Sequence, residues 1–234
     1  MAIGTPTLEA TINSGTDATS YTSASVTVAA GDILAAFIFS RVASGTPNEP
    51  TATGWSVVAS TPITGAGQRG AWYTNGSPVT GTHTFDFAGQ TQQFCMAFIL
   101  KMTGANTATP SANGVNAGVP SGTASSLTYV TPSAGSISLA AIRLNDNINQ
   151  APSAANDAWV ELADVTVAYE VDRAVGIYYV MTAADGVSEV STFTTMTGGA
   201  HGCEILIAAA GSTITNLIGG KLVHGFLTRS RLVQ

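Results

Sequence analysis

The histidines are the first residues to consider for chemistry, and they are scattered. His83, His201 and His224 lie far apart along the chain and occur in none of the local patterns by which metalloproteases bind zinc. No serine lies in the GxSxG pattern of a nucleophile elbow. The sequence therefore predicts no catalytic residue, and we expect a protein that is not an enzyme.

Carboxylates in the second half of the chain are the next candidates. The group consists of Glu161, Asp164, Glu170 and Asp172. A glycosidase needs two carboxyl groups that face each other across a cleft. These four lie in strand-like sequence at both even and odd spacings, so several must point to opposite faces. We interpret them as surface residues that keep the protein soluble.

Two loops formally match binding motifs. GAGQRG, at Gly65 to Gly70, fits the dinucleotide-binding GxGxxG, but that fingerprint requires a following helix and the next residues, AWYT, are strand-like. LNDNINQ, at Leu144 to Gln150, groups oxygen ligands that Ca²⁺ could bind but lacks the glycine and terminal glutamate of an EF-hand. We predict a hairpin loop and a solvated loop, and hence no cofactor and no metal ion.

Two stretches of the chain resemble each other, and they indicate how the elements are organised. In each, a Thr-Phe pair precedes a cysteine, which lies ten residues after Phe85 or Phe193. The other matched positions are Trp55 with Trp159, Trp72-Tyr73 with Tyr178-Tyr179, and ILAAFI with ISLAAI. The offset rises only from 104 residues at Ile33 to 108 at Cys95. This similarity predicts a tandem duplication of one all-β unit.

The strand patterns predict a β-sandwich or jelly roll in each unit. SASVTVAA alternates as a half-buried strand does, and ILAAFIFSR is apolar enough to be buried on both faces. Asn75-Gly76 and Asp185-Gly186 suit tight hairpins, and no segment shows helical periodicity. The predicted parts are a first sandwich at 1–103, a linker or long loop at 104–124, a second sandwich at 125–211 and a tail at 212–234.

Cys95 and Cys203 take matching places in the two predicted repeats. Such places would normally be far apart, and two cysteines are too few for a disulfide framework. We expect both to be free, buried thiols.

The adjacent aromatic pairs Trp72-Tyr73 and Tyr178-Tyr179 should each place one ring on either face of a strand. One ring of each pair would then pack in the core and the other would lie on the outer face. The outer ring could cover the sheet, fill a subunit contact or stack on a sugar.

The tail has a period of five residues, TNLIG-GKLVH-GFLTR-SRLVQ, which resembles the pentapeptide-repeat pattern. One coil of such a β-helix needs a stacked neighbour; the alternative is a tail that lies over the last sheet. The tail is basic and the rest of the chain is acidic, which favours docking on an acidic neighbour. The candidate assembly contacts are Leu217, Lys221, Leu222, Phe226, Leu227, Arg229, Arg231 and Leu232.

Composition restricts the class of protein. Charged residues are only 9% of the chain and its net charge is −6, which argues against a nucleic-acid partner because that requires a basic patch. No apolar stretch is long enough to span a membrane, and the N-terminus does not match a signal peptide. A surface rich in uncharged polar residues is common on extracellular and virion proteins. We expect assembly in a host cytoplasm or a signal that has been removed, and Met1 favours the former.

The order of these segments carries a resemblance to a family. VTVAAGDILAAFIFSR, a Thr/Pro loop, GW, AWYT and THTFDF resemble β-sandwich modules of tailed-bacteriophage virion proteins, and the five-residue ending resembles the C-termini of some phage structural proteins. The resemblance implies a virion component, such as a capsid decoration or spike protein, whose partners are other virion proteins and copies of itself. Alternatives are a receptor- or glycan-binding jelly-roll module of a tail or fibre, which would bind a host glycan, and a hydrolase on the same fold.

Overall fold

The computed structural model confirms the all-β class. The residues that the structure describes are 3–63, 67–103, 109–112, 122–129, 135–144, 153–154, 160–166, 174–181, 189–196 and 200–208. Within them the chain forms fifteen β-strands and no helix. All strand pairs are antiparallel.

The first half forms one large sheet and one small sheet. Its strands are β1 (Thr7–Ser14), β2 (Ser20–Thr22), β3 (Ile33–Arg41), β4 (Ser56–Ile63), β5 (Gln68–Asn75), β6 (Thr84–Asp86) and β7 (Phe94–Met102). Sheet I has the order β1-β7-β3-β5-β4, and β2 pairs with β6. The first strand thus pairs with the last and the second with the last but one, which nests the pairings around β3.

The second half has the same order. Its strands are β8 (Thr109–Ala112), β9 (Gly122–Tyr129), β10 (Ile137–Leu144), β11 (Ser153–Ala154), β12 (Val160–Thr166), β13 (Ala174–Val180), β14 (Glu189–Met196) and β15 (Ala200–Ala208). Sheet II has the order β8-β15-β10-β13-β12, and a small sheet has the order β9-β14-β11. Strand β8 lies inside the predicted linker 104–124, where it pairs with β15 and matches β1 in place.

The two edge strands β4 and β12 share an irregularity. The β4–β5 register shifts between Val57 and Ala59, and the β12–β13 register shifts between Glu161 and Ala163. The extra residue is therefore Val58 in one strand and Leu162 in the other, at the offset that relates Trp55 to Trp159. Bulges of this kind bend a strand and discourage pairing with other chains.

Sheets I and II pack face to face over a central core. Alternate residues of β3 and β7 point into this core, as the two-residue period of a strand requires. They meet side chains of β10, β13 and β15, including Ile177 and Ile205. The edges are also joined, because Asn13 Nδ2 on β1 donates to the Thr166 carbonyl on β12 at 2.9 Å. The two halves therefore share one apolar interior.

The other face of sheet I is covered by an outer core. Leu34, Ala36 and Ile38 of β3 pack there against Tyr21 of β2 and Phe85 of β6. Because sheet I lies between two cores, the apolar run Ile33–Arg41 is buried on both faces, as its sequence predicts. The β2–β6 pair, sheet I and sheet II thus form three successive layers.

Two turn predictions had different outcomes. The GAGQRG motif is only partly a loop, because strand β5 begins within it at Gln68, which pairs with Ile63 of β4. Residues 65 and 66 of the motif lie outside the described residues, and the segment after the motif is strand and not the helix of a dinucleotide site. The tight hairpin at Asn75-Gly76 is wrong. Asn75 is the last residue of β5, and β6 begins only at Thr84. The Asn75 side chain instead accepts a hydrogen bond from the Ser77 N–H at 3.1 Å. Asp185-Gly186 lies outside the described residues.

Candidate functional site

The best-defined polar assembly outside the sheets is the β3–β4 loop, residues 42–55. Its middle is held by backbone and side-chain hydrogen bonds. Asn48 Nδ2 donates to the Phe87 carbonyl at 3.0 Å, the Tyr73 hydroxyl donates to the Pro50 carbonyl at 2.7 Å, and Arg69 Nε donates to the Pro47 carbonyl at 2.8 Å. Because the loop's carbonyls are bonded to the body, the loop is a fixed part of the outer layer.

The C-terminal end of this loop is attached through an aromatic cluster of Trp55, Tyr73, His83 and Phe85. The Trp55 indole Nε1–H donates to His83 Nδ1 at 3.3 Å. The two rings are nearly perpendicular, with centroids 5.3 Å apart. Phe85 lies between the two ends of the cluster, with ring centroids 5.6 Å from Trp55 and 6.2 Å from Tyr73.

His83 is held in one orientation inside this cluster. Its backbone N–H donates to Ser23 Oγ at 3.0 Å, and only 7% of the residue is exposed. Since Nδ1 accepts from Trp55, the proton of the neutral ring lies on Nε2, which is buried and has no hydrogen-bond partner among the described residues. Burial lowers the pKa of His83 and raises that of Tyr73. Both rings are therefore neutral, and they serve packing and hydrogen bonding.

The predicted aromatic pair Trp72-Tyr73 is placed differently from our expectation. The two rings do point to opposite faces of β5, Trp72 into the central core and Tyr73 into the outer core. The expectation that one is exposed is wrong, because both faces of sheet I are covered and the residues are 0% and 2% exposed. Trp72 Nε1 donates to the Cys203 carbonyl at 2.9 Å, which joins the two halves.

The matching pair in the second half is shifted by one residue. Tyr73 pairs with Ala36, and Tyr178 pairs with Ala140, the residue that matches Ala36. Tyr178 therefore takes the place of Tyr73, and the place of Trp72 belongs to Ile177. Tyr179 is half-buried and packs against the central core. The side chain of Tyr178 lies outside what the structure describes.

The cysteines confirm one prediction and correct another. Both are free and buried. Burial raises the pKa of Cys203 to about 12, and it also raises the pKa of Cys95. They do not occupy equivalent places: Cys95 lies in the outer core and Cys203 in the central core. Cys95 pairs with Ser40, whose counterpart in the second half is Leu144, yet Cys203 pairs with Ala141. This slip of three residues, being odd, exchanges the faces.

Two buried charged side chains were not identified from the sequence. Glu204 on β15 is 1% exposed and accepts a hydrogen bond from Ser138 Oγ on β10. The Arg143 guanidinium lies over the Phe39 ring, 5.2 Å from its centroid, where sheets I and II meet. Their burial could have been predicted from their position, because both residues lie within apolar runs that predict strands buried on both faces.

The predicted carboxylate group, Asn-rich loop and tail contacts do not form a common site in the described part of the chain. Glu161 is exposed at the edge of sheet II and Asp164 pairs with Gly176. The remaining members of these sets lie outside the described residues: Glu170, Asp172, Asn145 to Asn149, His224, and the tail contacts Leu217, Lys221, Leu222, Phe226, Leu227, Arg229, Arg231 and Leu232. In the described part of the chain, three or more His, Cys, Asp or Glu side chains never group in a way that could hold a metal ion. That same part contains no helix long and apolar enough to cross a membrane.

Comparisons of this chain with protein families, with curated proteins and with solved structures found no match.

Proposed function

We propose that the chain is a non-enzymatic structural component of a phage virion, a capsid decoration or spike protein, anchored through residues 212–234. The observation that carries the proposal is how its reactive side chains are used. His83, Trp72, Tyr73 and both cysteines contribute to packing and to hydrogen bonds that join layers. A body built in this way suits a protein whose task is to hold a fixed shape.

The body is further proposed to be a tandem duplication of a jelly-roll-like sandwich. The shared strand order of sheets I and II supports this, as do the bulges at equivalent residues of β4 and β12. The nested pairing of β1 with β7 and of β2 with β6 supports the jelly-roll assignment within the first unit.

The surface composition supports exposure on a particle. The outward residues of β2 and β6 are hydroxyl-bearing or acidic, with Thr22 and Thr84 joined at 2.8 Å through their hydroxyl groups. The basic tail would bind an acidic neighbour, either another virion protein or a second copy. A decoration protein that binds only assembled particles stabilises them by mass action.

The experiment is to probe purified particles of the phage that encodes the chain with an antibody raised against it. We expect labelling of intact particles and a constant number of copies per particle by quantitative mass spectrometry. Particles that lack the chain, although their host lysate contains it, would overturn the proposal.

The alternative of a glycan-binding module loses three of its four candidate aromatics, since Trp72 and Tyr73 are buried and Tyr179 packs against the central core. Tyr178 remains its candidate outer-face aromatic. A glycan array with the full chain separates the two functions, because specific binding to a host glycan would favour the module.

A further inference from the structure

The β3–β4 loop is attached to the body in two chemically different ways. Its middle is attached by bonds between groups that do not titrate near neutral pH, such as Asn48 with the Phe87 carbonyl and Thr51 with the Asp86 backbone. Its C-terminal end is attached through one titratable acceptor, because the Trp55 indole donates to His83 Nδ1. The middle of the loop and its C-terminal end must therefore respond differently to acid.

We propose that the Trp55–His83 hydrogen bond is acid-sensitive, and that its loss releases the C-terminal end of the β3–β4 loop from the outer core. A proton from solvent binds the Nδ1 lone pair and converts the ring to an imidazolium, which has two N–H donors and no acceptor. The Trp55 N–H then faces another donor, so the hydrogen bond is lost and the two groups repel. Trp55 also packs against the outer core, as does Ala52 of the same loop end.

The surroundings of His83 make its protonation disruptive. The ring lies edge-on against the indole of Trp55, and burial lowers its pKa. Among the described residues, neither ring nitrogen is hydrogen-bonded to a carboxylate, because Nδ1 accepts from Trp55 and Nε2 has no partner. The carboxylates on neighbouring segments bind other groups. Asp86 Oδ1 accepts from the Ala88 N–H at 2.7 Å, Asp32 Oδ2 accepts from the Ala29 N–H at 2.8 Å, and Glu49 lies 3.8 Å from Arg69.

The segment that would be released, residues 52–55, ends next to an edge strand. Trp55 directly precedes β4, whose first residues include Val57, 44% exposed. Loss of the Trp55–His83 hydrogen bond would free residues 52–55, while the hydrogen bonds at Asn48 and Pro50 keep the middle of the loop attached. The inference is thus a local opening of the outer layer at acid pH, which does not depend on the proposed function.

The test is an NMR titration of the ¹⁵N-labelled full chain from pH 7.5 to 5.0. The indole N–H signal of Trp55 is assigned by its absence in the Trp55→Phe variant. We expect this signal to shift with a midpoint below 6.5, the ordinary value for histidine. We also expect amide exchange at residues 52–56, corrected for intrinsic rates, to rise about five-fold, the factor for one lost hydrogen bond.

The control is His83→Asn, which offers an amide oxygen near the place of Nδ1 and does not titrate. In this variant the Trp55 signal and the exchange at 52–56 should be insensitive to pH. An identical pH response in the wild type and in His83→Asn would overturn the proposal. If His83→Asn does not fold, the proposal is tested by the ring C–H signals of His83 in the wild type and in Trp55→Phe. Their titration midpoint should be higher in Trp55→Phe, which lacks the donor, than in the wild type, and equal midpoints would overturn the proposal.

Discussion

At the scale of residues, polar atoms of buried aromatic rings join the layers. Trp72 is the clearest case, since its ring fills the central core beside Phe37 and its N–H reaches the carbonyl of Cys203 on the facing sheet. A tryptophan in a core requires such a partner because an unpaired buried N–H is costly.

Replacing Trp72 by Phe should lower the free energy of unfolding by about 1–3 kcal/mol, because the change leaves a buried carbonyl without its donor and creates a small void. Urea denaturation followed by circular dichroism measures the change. Trp55→Phe is the matched control, since it removes a longer hydrogen bond from a partly exposed ring and should cost less. Equal losses in the two variants would contradict the role assigned to Trp72.

His83 gives a pH dependence with a defined sign. The folded-state pKa of His83 is below its ordinary value of 6.5, so below that pH the unfolded state binds more protons than the folded state. Stability from this group is therefore present above pH 6.5 and is lost as the pH falls. The wild-type Tm should drop more between pH 7.5 and 5.5 than the Tm of His83→Asn. A Tm drop as large in the variant would assign the acid sensitivity to other groups.

The identity of residues predicted burial well and exposure poorly. The apolar run at Ile33–Arg41 and both cysteines are buried as expected. Alternation along a strand correctly sends Trp72 and Tyr73 to opposite faces, but it cannot show whether a second layer covers the outer face. That layer comes from β2, β6 and the β3–β4 loop, which are separate segments from β5.

At the scale of elements, the β4–β5 hairpin depends on a glycine. Gly67 has a φ of +63°, and a Cβ there would lie 2.7 Å from the Val42 carbonyl oxygen. The Gly67 carbonyl also accepts from the Val42 N–H at 2.8 Å. The close approach of these two backbones therefore requires a residue without a side chain.

Gly67→Ala should destabilise the protein by about 1–3 kcal/mol, since it adds a backbone clash at a left-handed residue. Gly76→Ala is the control, because a Cβ at Gly76 meets nothing within 4 Å. Chemical denaturation of both variants provides the measurement. A Gly67→Ala protein as stable as Gly76→Ala would show that the β4–β5 connection adjusts freely.

The continuously apolar strands were predictable from sequence, but their register was not. The strand predicted at SASVTVAA is wrong, because Val26 forms only an isolated bridge with Gly81. Alternating and continuously apolar runs identify β3, β5, β7, β10 and β15. The bulges at Val58 and Leu162 leave no signal in single residues, and the slip of β15 relative to β7 exchanges the faces of the two cysteines. Pairing register is decided by the match of two strands, and a motif within either strand cannot show it.

At the scale of the molecule, the two halves share the central core and should unfold together. Ile205 of sheet II is fully buried against sheet I. Ile205→Ala should lower the free energy of unfolding by about 2–5 kcal/mol. In hydrogen exchange measured as a function of urea, the change should destabilise β3 amides as much as β10 amides. Val79→Ala, at a residue 74% exposed, should change stability by less than about 0.5 kcal/mol. Loss of protection in β10 alone would show that the halves are independent.

The partners of the molecule were the least predictable feature. The pattern with a period of five is the basis for proposing that residues 215–234 dock on a neighbour, but the pattern contains no information on which surface that neighbour presents. Interfaces are defined by complementary shapes on two molecules, and one sequence specifies only one of them.

The most direct test of assembly through the tail is the mass in solution, by light scattering, of the full chain and of a chain that ends at Gly211. We expect the full chain to be an oligomer of defined size and the shortened chain to be a folded monomer. Equal association states for the two chains would contradict it, because residues 212–234 would then contribute nothing to self-assembly.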